Sequence, residues 1–429
     1  SLATQLGMQH QVETRNGADL LLMKRRRFLA SSLVAAAPLA RGVTPPLPRV
    51  AAINSIYRFK SHAYHIAGRF IHGYHRGGEL HRPPFQLVRI YNDQSPPDDL
   101  GPEVCREHGI ELSRDVAGAL GGAASLDVDA VLLIIEHGDY PVNQLGQVEY
   151  PRYEHFEEIL KVFRVSGRSV PVFVDKHLSY DHEKAARMVA ASRELGFGLM
   201  AGSSLPVVWR VPELLPPLET PFREGLVCFG FERATPEIYL FHALEALQCQ
   251  LERRKGGETG VQRVTFLEGG AVWKAADEGK WSPALLEAAL RVNPSRNYGT
   301  VRGQVRKPQA ILIEYRDGTR GTVLNLVEAV SDFSFAGSVE GRPEPLATWY
   351  VLPAPPGARF FDALTWNIES FFASGKPPYP VERTLLTGTL LDFAMHSLAR
   401  GESMSGAALA IQYRPPQDDG HLRGDFVGG

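Results

Sequence analysis

Short hydrophobic runs alternate with segments of helical periodicity in the first half of the chain. The runs cover residues 129–135, 170–174 and 198–201, and the segments between them place apolar side chains three and four positions apart. A fourth run at residues 50–53 precedes a helical segment that Ser61 can cap. This alternation is typical of an α/β fold with a parallel sheet.

From residue 205 the pattern changes to scattered prolines and runs of β-branched and aromatic residues. The strand-like runs are residues 225–231, 261–267, 310–315, 322–327 and 349–352. The helical segments are residues 237–253, 360–372 and 381–399. Short strands separated by turns predict a largely antiparallel open sheet, so this half reads as a second, C-terminal α/β domain.

These patterns divide the chain into five segments. They are an upstream segment with a signal peptide (1–40), a linker (41–48), a domain with the parallel sheet (49–204), a C-terminal α/β domain (205–400) and a tail (401–429). We expect the tail to be loosely attached. The antiparallel sheet could pair subunits into a homo-oligomer.

The N-terminal region carries an export address. Arg25 and Arg26 precede Phe28 and an Ala-rich apolar stretch that ends near Ala40, in a pattern that resembles the twin-arginine signal. This predicts recognition by the twin-arginine export machinery and a periplasmic location, with Met23 as the initiator. The apolar stretch is too short to span a bilayer stably.

Charge and cysteine content exclude several classes of partner. The formal net charge of −2 argues against nucleic acid as the main partner. Three cysteines, Cys105, Cys228 and Cys249, are too few and too scattered for a disulfide framework or a zinc knuckle. We therefore expect a small molecule as the ligand.

Polar residues follow each apolar run at the point where the predicted strand ends. They are Glu136, His137 and Asp139 after the first, Asp175, Lys176 and His177 after the second, and Ser203 and Ser204 after the third. In parallel α/β sheets, ligands bind outside the carboxyl ends of the strands. The candidate site is therefore at this edge of the sheet.

The turn at residues 54–60 contains no glycine, although it is where a dinucleotide fold places its G-x-G-x-x-G motif. This is an objection to ordinary dinucleotide binding, although Arg58 or Lys60 could hold phosphate through a side chain. Asp93 follows the next strand, where an acidic residue would hold a ribose hydroxyl, but it lies beyond the usual spacing of about 20 residues. A plain turn aspartate is the alternative.

With these landmarks, residues 49–401 resemble the Gfo/Idh/MocA family of oxidoreductases. The likeness is carried by the strand from residue 128 and by Lys176, which falls on the lysine of the family's Glu-Lys-Pro motif. The helix at residues 237–253, with His242 and Glu245, and the segment at residues 375–380 are also similar. Asp175, His177 and Ile238 depart from the family pattern.

The resemblance implies a Rossmann-like nucleotide-binding domain at residues 49–204 and a C-terminal α/β domain for substrate binding and oligomerisation at residues 205–400. It also implies a nicotinamide-dependent redox reaction, often on a sugar or polyol, with NAD or NADP as cofactor. We predict no metal among the site ligands. The catalytic residues that we expect are Lys176, His242 and Glu245. The expected cofactor-binding residues are Asn54, Tyr57, Arg58, Asp93, Glu136, His137 and Asp175. Oxidation of a carbinol needs a base and a cation near the developing alkoxide. His242, oriented by Glu245 or Glu237, would be the base, and Lys176 the cation, so Lys176→Ala should abolish turnover and leave the melting temperature nearly unchanged.

Two other interpretations remain open. A divalent metal could be held by strand-end groups or by a histidine stripe on the first helix, and would support a lyase, epimerase or hydrolase. The strand-end groups are Glu136, His137, Asp139, Asp175, His177 and His242, and the stripe is His62, His65 and His72. Alternatively, the cleft without its glycines could bind a carbohydrate without catalysis.

Overall fold

A computed structural model describes residues 45–232, 235, 237–354 and 357–424. The predicted signal peptide lies outside these residues. The described residues from Leu47 onward form one compact unit that contains two large sheets. In the part of the chain that is described, we find no helix that combines the length and the hydropathy needed to cross a membrane.

The first sheet is parallel, and the four apolar runs of the N-terminal half form four neighbouring strands of it. The elements in chain order are β1 (Arg49–Asn54), α1 (His62–His72), β2 (Tyr74–Arg76), β3 (Glu79–His81), β4 (Gln86–Asn92), α2 (Gly101–His108), β5 (Glu111–Leu112), α3 (Val116–Leu120), β6 (Ala130–Ile134), α4 (Arg152–Ser166), β7 (Val172–Asp175), α5 (His182–Glu194) and β8 (Leu199–Gly202). The strand order is β5-β4-β1-β6-β7-β8, and β2 pairs with β3 in a separate hairpin. All residues of β6, β7 and β8 are buried, which explains their continuous apolar sequence.

The second sheet is largely antiparallel. Its half of the chain contains a 3₁₀ turn (Leu205–Val207), β9 (Arg210–Val211), β10 (Phe222–Phe229), α6 (Glu237–Leu251), β11 (Val261–Glu268), α7 (Gly270–Asp277), α8 (Pro283–Val292), α9 (Val301–Gln304), β12 (Gln309–Tyr315), β13 (Arg320–Asn325), β14 (Ser334–Val339), β15 (Leu346–Tyr350), α10 (Phe360–Ser374), α11 (Val381–Arg400) and a 3₁₀ turn (Ala407–Leu409). The strand order is β11-β12-β13-β10-β14-β15-β9, and β10 with β13 is its one parallel pair in the described residues. The predicted fold class is therefore confirmed.

Three helices of the second half hold the two sheets together. α6 lies against β10 and β13, α11 packs on both α5 and α6, and α10 packs on α1. α6 is buried along most of its length, including Glu245 and Gln248. The polar side chains of a helix that is buried almost all round need hydrogen-bond partners inside the protein. His242 and Glu245 find theirs at the edge of the parallel sheet.

The expectation of a loosely attached tail is wrong for residues 401–424. Leu409 has no exposed surface, and Asp419 is paired with Arg210 at 2.7 Å while both side chains are 0% exposed. Asn367 in α10 also donates a hydrogen bond to the carbonyl oxygen of Gly420. The sequence hid this anchoring because the polar, Pro-rich tail finds its partners far away in the chain.

Candidate active site

The chain turns sharply at the ends of β6 and β7. His137 has a φ of 70° and Lys176 a φ of 64°, both in the left-handed region that non-glycine residues rarely adopt. The backbone N–H of Lys176 is fixed by a 3.1 Å hydrogen bond to the carbonyl oxygen of Gly202 in β8. Such strain is common at functional sites, where the surrounding structure imposes it.

The predicted catalytic lysine belongs to a buried ionic triad. Lys176 Nζ lies 2.7 Å from Glu136 Oε1, and Arg152 Nη2 lies 2.5 Å from Glu136 Oε2. Burial opposes ionisation of Glu136, but the charges of Lys176 and Arg152 hold its pKa well below the ordinary range. Arg152, at the start of α4, was missed by the sequence reasoning. The position of Arg152 in the sequence gave no sign of its partner.

A second group of side chains surrounds Asp175 at the end of β7. His62 Nδ1, in the first turn of α1, lies 2.5 Å from Asp175 Oδ2, and the ring of His62 packs edge-on against His137. His177 packs against Phe241 of α6, and burial lowers the pKa of His177 well below its usual value. These imidazoles therefore line one continuous polar cluster with the triad.

Several buried polar atoms of this cluster have no hydrogen-bond partner among the described residues. They are Asn54 Oδ1, His137 Nδ1, Asp175 Oδ1 and His177 Nδ1. An unpaired buried polar atom costs about 1–3 kcal/mol, so each is a candidate contact for a ligand or an ordered water. The cluster offers both acceptors and imidazole nitrogens, as a hydroxylated ligand requires.

His242 and Glu245 of α6 are linked through Ser203 at the end of β8. His242 Nδ1 lies 2.9 Å from Ser203 Oγ, which makes a short hydrogen bond to Glu245 Oε2, while the Ser203 N–H donates to Glu245 Oε1 at 2.9 Å. Burial lowers the pKa of His242 well below its usual value and raises the pKa of Glu245 to about 7. The structure thus brings the predicted pair together, with Ser203 between them.

Glu237, the other acidic partner considered for His242, has a different role. Its Oε1 accepts a 2.9 Å hydrogen bond from the backbone N–H of Val148, which ties α6 to the loop between β6 and α4. Burial raises the pKa of Glu237 to about 7. Of these two carboxyl groups, Glu245 is therefore the one that is linked to His242, through Ser203.

The turn between β1 and α1 is largely buried, and its side chains are hydrogen-bonded to neighbouring residues. Tyr57 and the two residues before it are buried, and Asn54 Nδ2 donates to Asn92 Oδ1 at 3.1 Å. Ser61 caps α1 by accepting from the Tyr64 N–H, and Arg58 extends toward Asp98 at 3.6 Å. Without a glycine, this turn cannot offer the close backbone approach of a dinucleotide fingerprint.

The carboxylate of Asp93 is already engaged by neighbouring side chains. It accepts hydrogen bonds from Tyr140 Oη at 2.8 Å and Tyr91 Oη at 3.2 Å, and His155 Nε2 lies 3.3 Å away. The contact with His155 lowers the pKa of Asp93, and the hydrogen bond from Tyr140 adds to this. The ribose role of Asp93 stays a prediction, for a carboxylate that already has three partners.

The metal interpretation gains no support from these positions. In the described ranges, no group of three or more His, Cys, Asp or Glu side chains could hold a metal ion. The histidines of α1 point to different partners, since His65 stacks on Phe361 and His72 packs against His108.

Comparison with known proteins rests on structure alone. No protein-family model matches the sequence, and no curated protein matches it. GenD2 from gentamicin A biosynthesis, solved in complex with NAD, shares 14% identity over 84% of this chain and 96% of that chain, with a TM-score of 0.50. Apo scyllo-inositol dehydrogenase from Lactobacillus casei shares 10% identity over 84% of this chain and 99% of that chain, with a TM-score of 0.52.

The chain has the fold of these two proteins. This confirms the fold that the resemblance to the Gfo/Idh/MocA family implied. At sequence identities of 14% and 10%, the comparison supports the fold alone.

Proposed function

We propose that the protein is an NAD(P)-dependent oxidoreductase that acts on a sugar or polyol. The observation that carries this is the meeting of the Lys176 ammonium, the His242 imidazole and unpaired polar atoms at the strand ends of a fold shared with an NAD-bound protein and an inositol dehydrogenase. A buried lysine beside a neutral histidine is suited to moving a proton from a hydroxyl group.

The unpaired atoms at the strand ends suit the carboxamide and ribose hydroxyls of such a cofactor. The turn at residues 54–60 is less suited to its phosphates, because it contains no glycine. Asn54 Oδ1 and Asp175 Oδ1 could accept from a carboxamide or a ribose hydroxyl, and His137 Nδ1 adds a further unpaired site. The phosphates would be held by the side chains of Arg58 and Lys60. When bound, NAD(P) would supply the hydride acceptor.

The residues of this chain would handle the proton. Lys176 would donate a hydrogen bond to the substrate hydroxyl and stabilise the developing alkoxide. With its pKa lowered, His242 is neutral, and donation from Nδ1 to Ser203 Oγ leaves Nε2 as the free acceptor. Ser203 in turn donates to Glu245, whose pKa of about 7 lets it take up a proton near neutral pH.

A second candidate function is carbohydrate binding without redox chemistry. It is favoured by the glycine-free turn, in which Tyr57 is 1% exposed, and by the engaged carboxylate of Asp93. In this case, the same polar cluster would recognise sugar hydroxyls directly.

Nucleotide binding separates the two candidates. The protein would be purified with its leader intact, denatured, and the released material analysed by mass spectrometry, after which the apo form would be titrated with NAD(H) and NADP(H) by calorimetry. Stoichiometric binding of a nicotinamide nucleotide would support the oxidoreductase. The affinity for the nucleotide should fall in Lys60→Glu and stay unchanged in Lys161→Glu, because Lys161 lies on the exposed face of α4. No released nucleotide and no heat of binding, together with binding of a polyol panel, would favour the second candidate.

We also propose export to the periplasm through the twin-arginine machinery. The support is the pattern of Arg25, Arg26, Phe28 and the apolar stretch to Ala40. Replacing both arginines by lysine should leave the protein in the cytoplasmic fraction, and continued export of that variant would contradict the proposal. Assembly into a homo-oligomer stays a prediction.

A further inference from the structure

A large cavity lies outside the proposed active site. It is a pocket that is open to solvent on one side, with a volume of about 940 Å³, and it is lined by α1, the β2–β3 hairpin, the first half of α10 and the tail residues Leu422 and Arg423. None of the strand-end residues described above lines it. Its size is in the range of cavities that hold small organic ligands.

The lining of this cavity is basic. Four arginines and one aspartate contribute to it, and since Arg423 is itself paired with Asp418 and Glu213, three arginines face one aspartate in a chain whose formal net charge is −2. The arginines are Arg69, Arg76, Arg359 and Arg423, and the aspartate is Asp362. A local excess of this kind favours anionic ligands.

The charged side chains that line the cavity differ in their accessibility to a ligand. Arg69 is 9% exposed and is fixed by Asp362 Oδ1 at 2.7 Å and by the carbonyl oxygens of His65, Gly357 and Ala358. Asp362 also accepts from Arg359, so the lining carboxylate is already neutralised. Arg76 is exposed, and it forms no ion pair with an acidic side chain in the described chain.

Aromatic rings form the rest of the wall. Trp366 carries the guanidinium of Arg76 over its face, and Trp209 carries that of Arg359. Tyr64 and Tyr74 add further ring surface. Flat aromatic surfaces suit the C–H faces of sugar rings, and guanidinium groups suit carboxylate or phosphate oxygens.

We propose that this cavity binds an anionic sugar, meaning a hydroxylated ring that carries a carboxylate or a phosphate, with Arg76, which lies over the Trp366 ring, as the main partner of the anionic group and Tyr64 as the ring surface. The stacked pair of His65 and Phe361 lies between the cavity and His62 of the strand-end cluster. The cavity is therefore a binding site separate from the proposed chemistry, and it does not depend on the redox assignment.

Calorimetry on the full chain with three probes tests the proposal. Digalacturonate represents a carboxylated sugar, glucose 6-phosphate a phosphorylated one, and cellobiose is the neutral control. We expect at least one anionic probe to bind, with affinity that falls as salt is raised, and cellobiose to bind much more weakly. Whichever anionic probe binds identifies the source of the charge.

Two charge reversals supply the matched comparison. Arg76→Glu should weaken binding by about tenfold or more, whereas Arg114→Glu, at an exposed position outside the cavity, should leave it unchanged. Arg76→Ala is the milder variant should the reversal disturb folding, and Ser203→Ala in the active site should bind as wild type does. The proposal fails if neither anionic probe binds, if cellobiose binds equally well, or if Arg76→Glu binds as wild type does.

Discussion

The ammonium of Lys176 is buried against the carboxylate of Glu136, with Nζ and Oε1 only 2.7 Å apart. In Lys176→Ala, Glu136 keeps Arg152 alone, and a broken buried ion pair costs about 3–5 kcal/mol of unfolding free energy. We therefore expect this variant to lose both turnover and stability, measured by steady-state kinetics and urea unfolding. This replaces the sequence-based expectation of an unchanged melting temperature, which assumed an accessible lysine.

Lys161→Ala is the control, because Lys161 is exposed on α4. It should change the unfolding free energy by less than about 0.5 kcal/mol. A Lys176→Ala protein that turns over substrate normally would remove the lysine from the mechanism, whatever its stability.

Ser203 connects His242 to Glu245, and its removal should affect proton transfer more than binding. In Ser203→Ala, the Nδ1 proton of His242 loses its acceptor, so the tautomer that presents Nε2 is no longer fixed. We expect kcat to fall by about tenfold to a hundredfold with little change in KM, and the limb of the pH–rate profile near pH 7 to move, because Glu245 with its pKa of about 7 is disconnected.

The neighbouring serine provides the comparison for that variant. Ser204 is also buried, but no side-chain hydrogen bond of Ser204 is found in the described part of the chain. Ser204→Ala should keep the wild-type pH profile. Equal effects of the two substitutions would indicate that Ser203 has a packing role only.

The strands and the edge that holds the site could be predicted, because continuous apolar runs specify buried parallel strands and chemistry follows at their ends. The partners of the buried polar side chains could not be predicted. Arg152 at the start of α4 pairs with Glu136 after β6, and Ser203 after β8 donates to Glu245 in α6. Hydrophobic periodicity reports which face of an element is buried, but it carries no information on which buried polar groups are partners.

The carboxyl group of Glu237 should make stability fall as pH rises. Burial raises its pKa from 4.5 to about 7, so the folded state binds the proton more tightly than the unfolded state. The stabilisation is complete below pH 4.5 and is lost as pH rises to about 7. Since one pKa unit corresponds to about 1.4 kcal/mol, Glu237 contributes a loss of about 3 kcal/mol, and Glu245 adds to it.

Urea unfolding at pH 5 and pH 7.5 measures this effect. Glu237→Gln keeps an acceptor for the Val148 N–H without the charge, so it should narrow the stability difference between the two pH values. Glu194→Gln, at an exposed position in the last turn of α5, should show the wild-type difference. If Glu237→Gln behaves as Glu194→Gln does, Glu237 is ionised in the folded protein across this range.

The attachment of the tail can be tested at Asp418 and Asp419, which are adjacent in the sequence, because the side chain of Asp419 is buried and that of Asp418 is exposed. Asp419 is 0% exposed and accepts hydrogen bonds from Arg210 at 2.7 Å and from His421 Nδ1 at 2.6 Å. Burial opposes its ionisation, but the charge of Arg210 holds the pKa of Asp419 far below its usual value. Asp418 pairs instead with Arg423 at an exposed position.

Asp419→Asn should therefore lower the unfolding free energy by about 3–5 kcal/mol, because it leaves Arg210 buried without its counter-charge. Asp418→Asn should cost less than about 1 kcal/mol, as exposed pairs do. The same contrast should appear in limited proteolysis, with the tail cleaved early in Asp419→Asn alone. Equal stability and equal protection of the two variants would mean that the tail is not held by this ion pair, and that residues 401–424 stay in place through Leu409 and the Gly420 backbone contact instead.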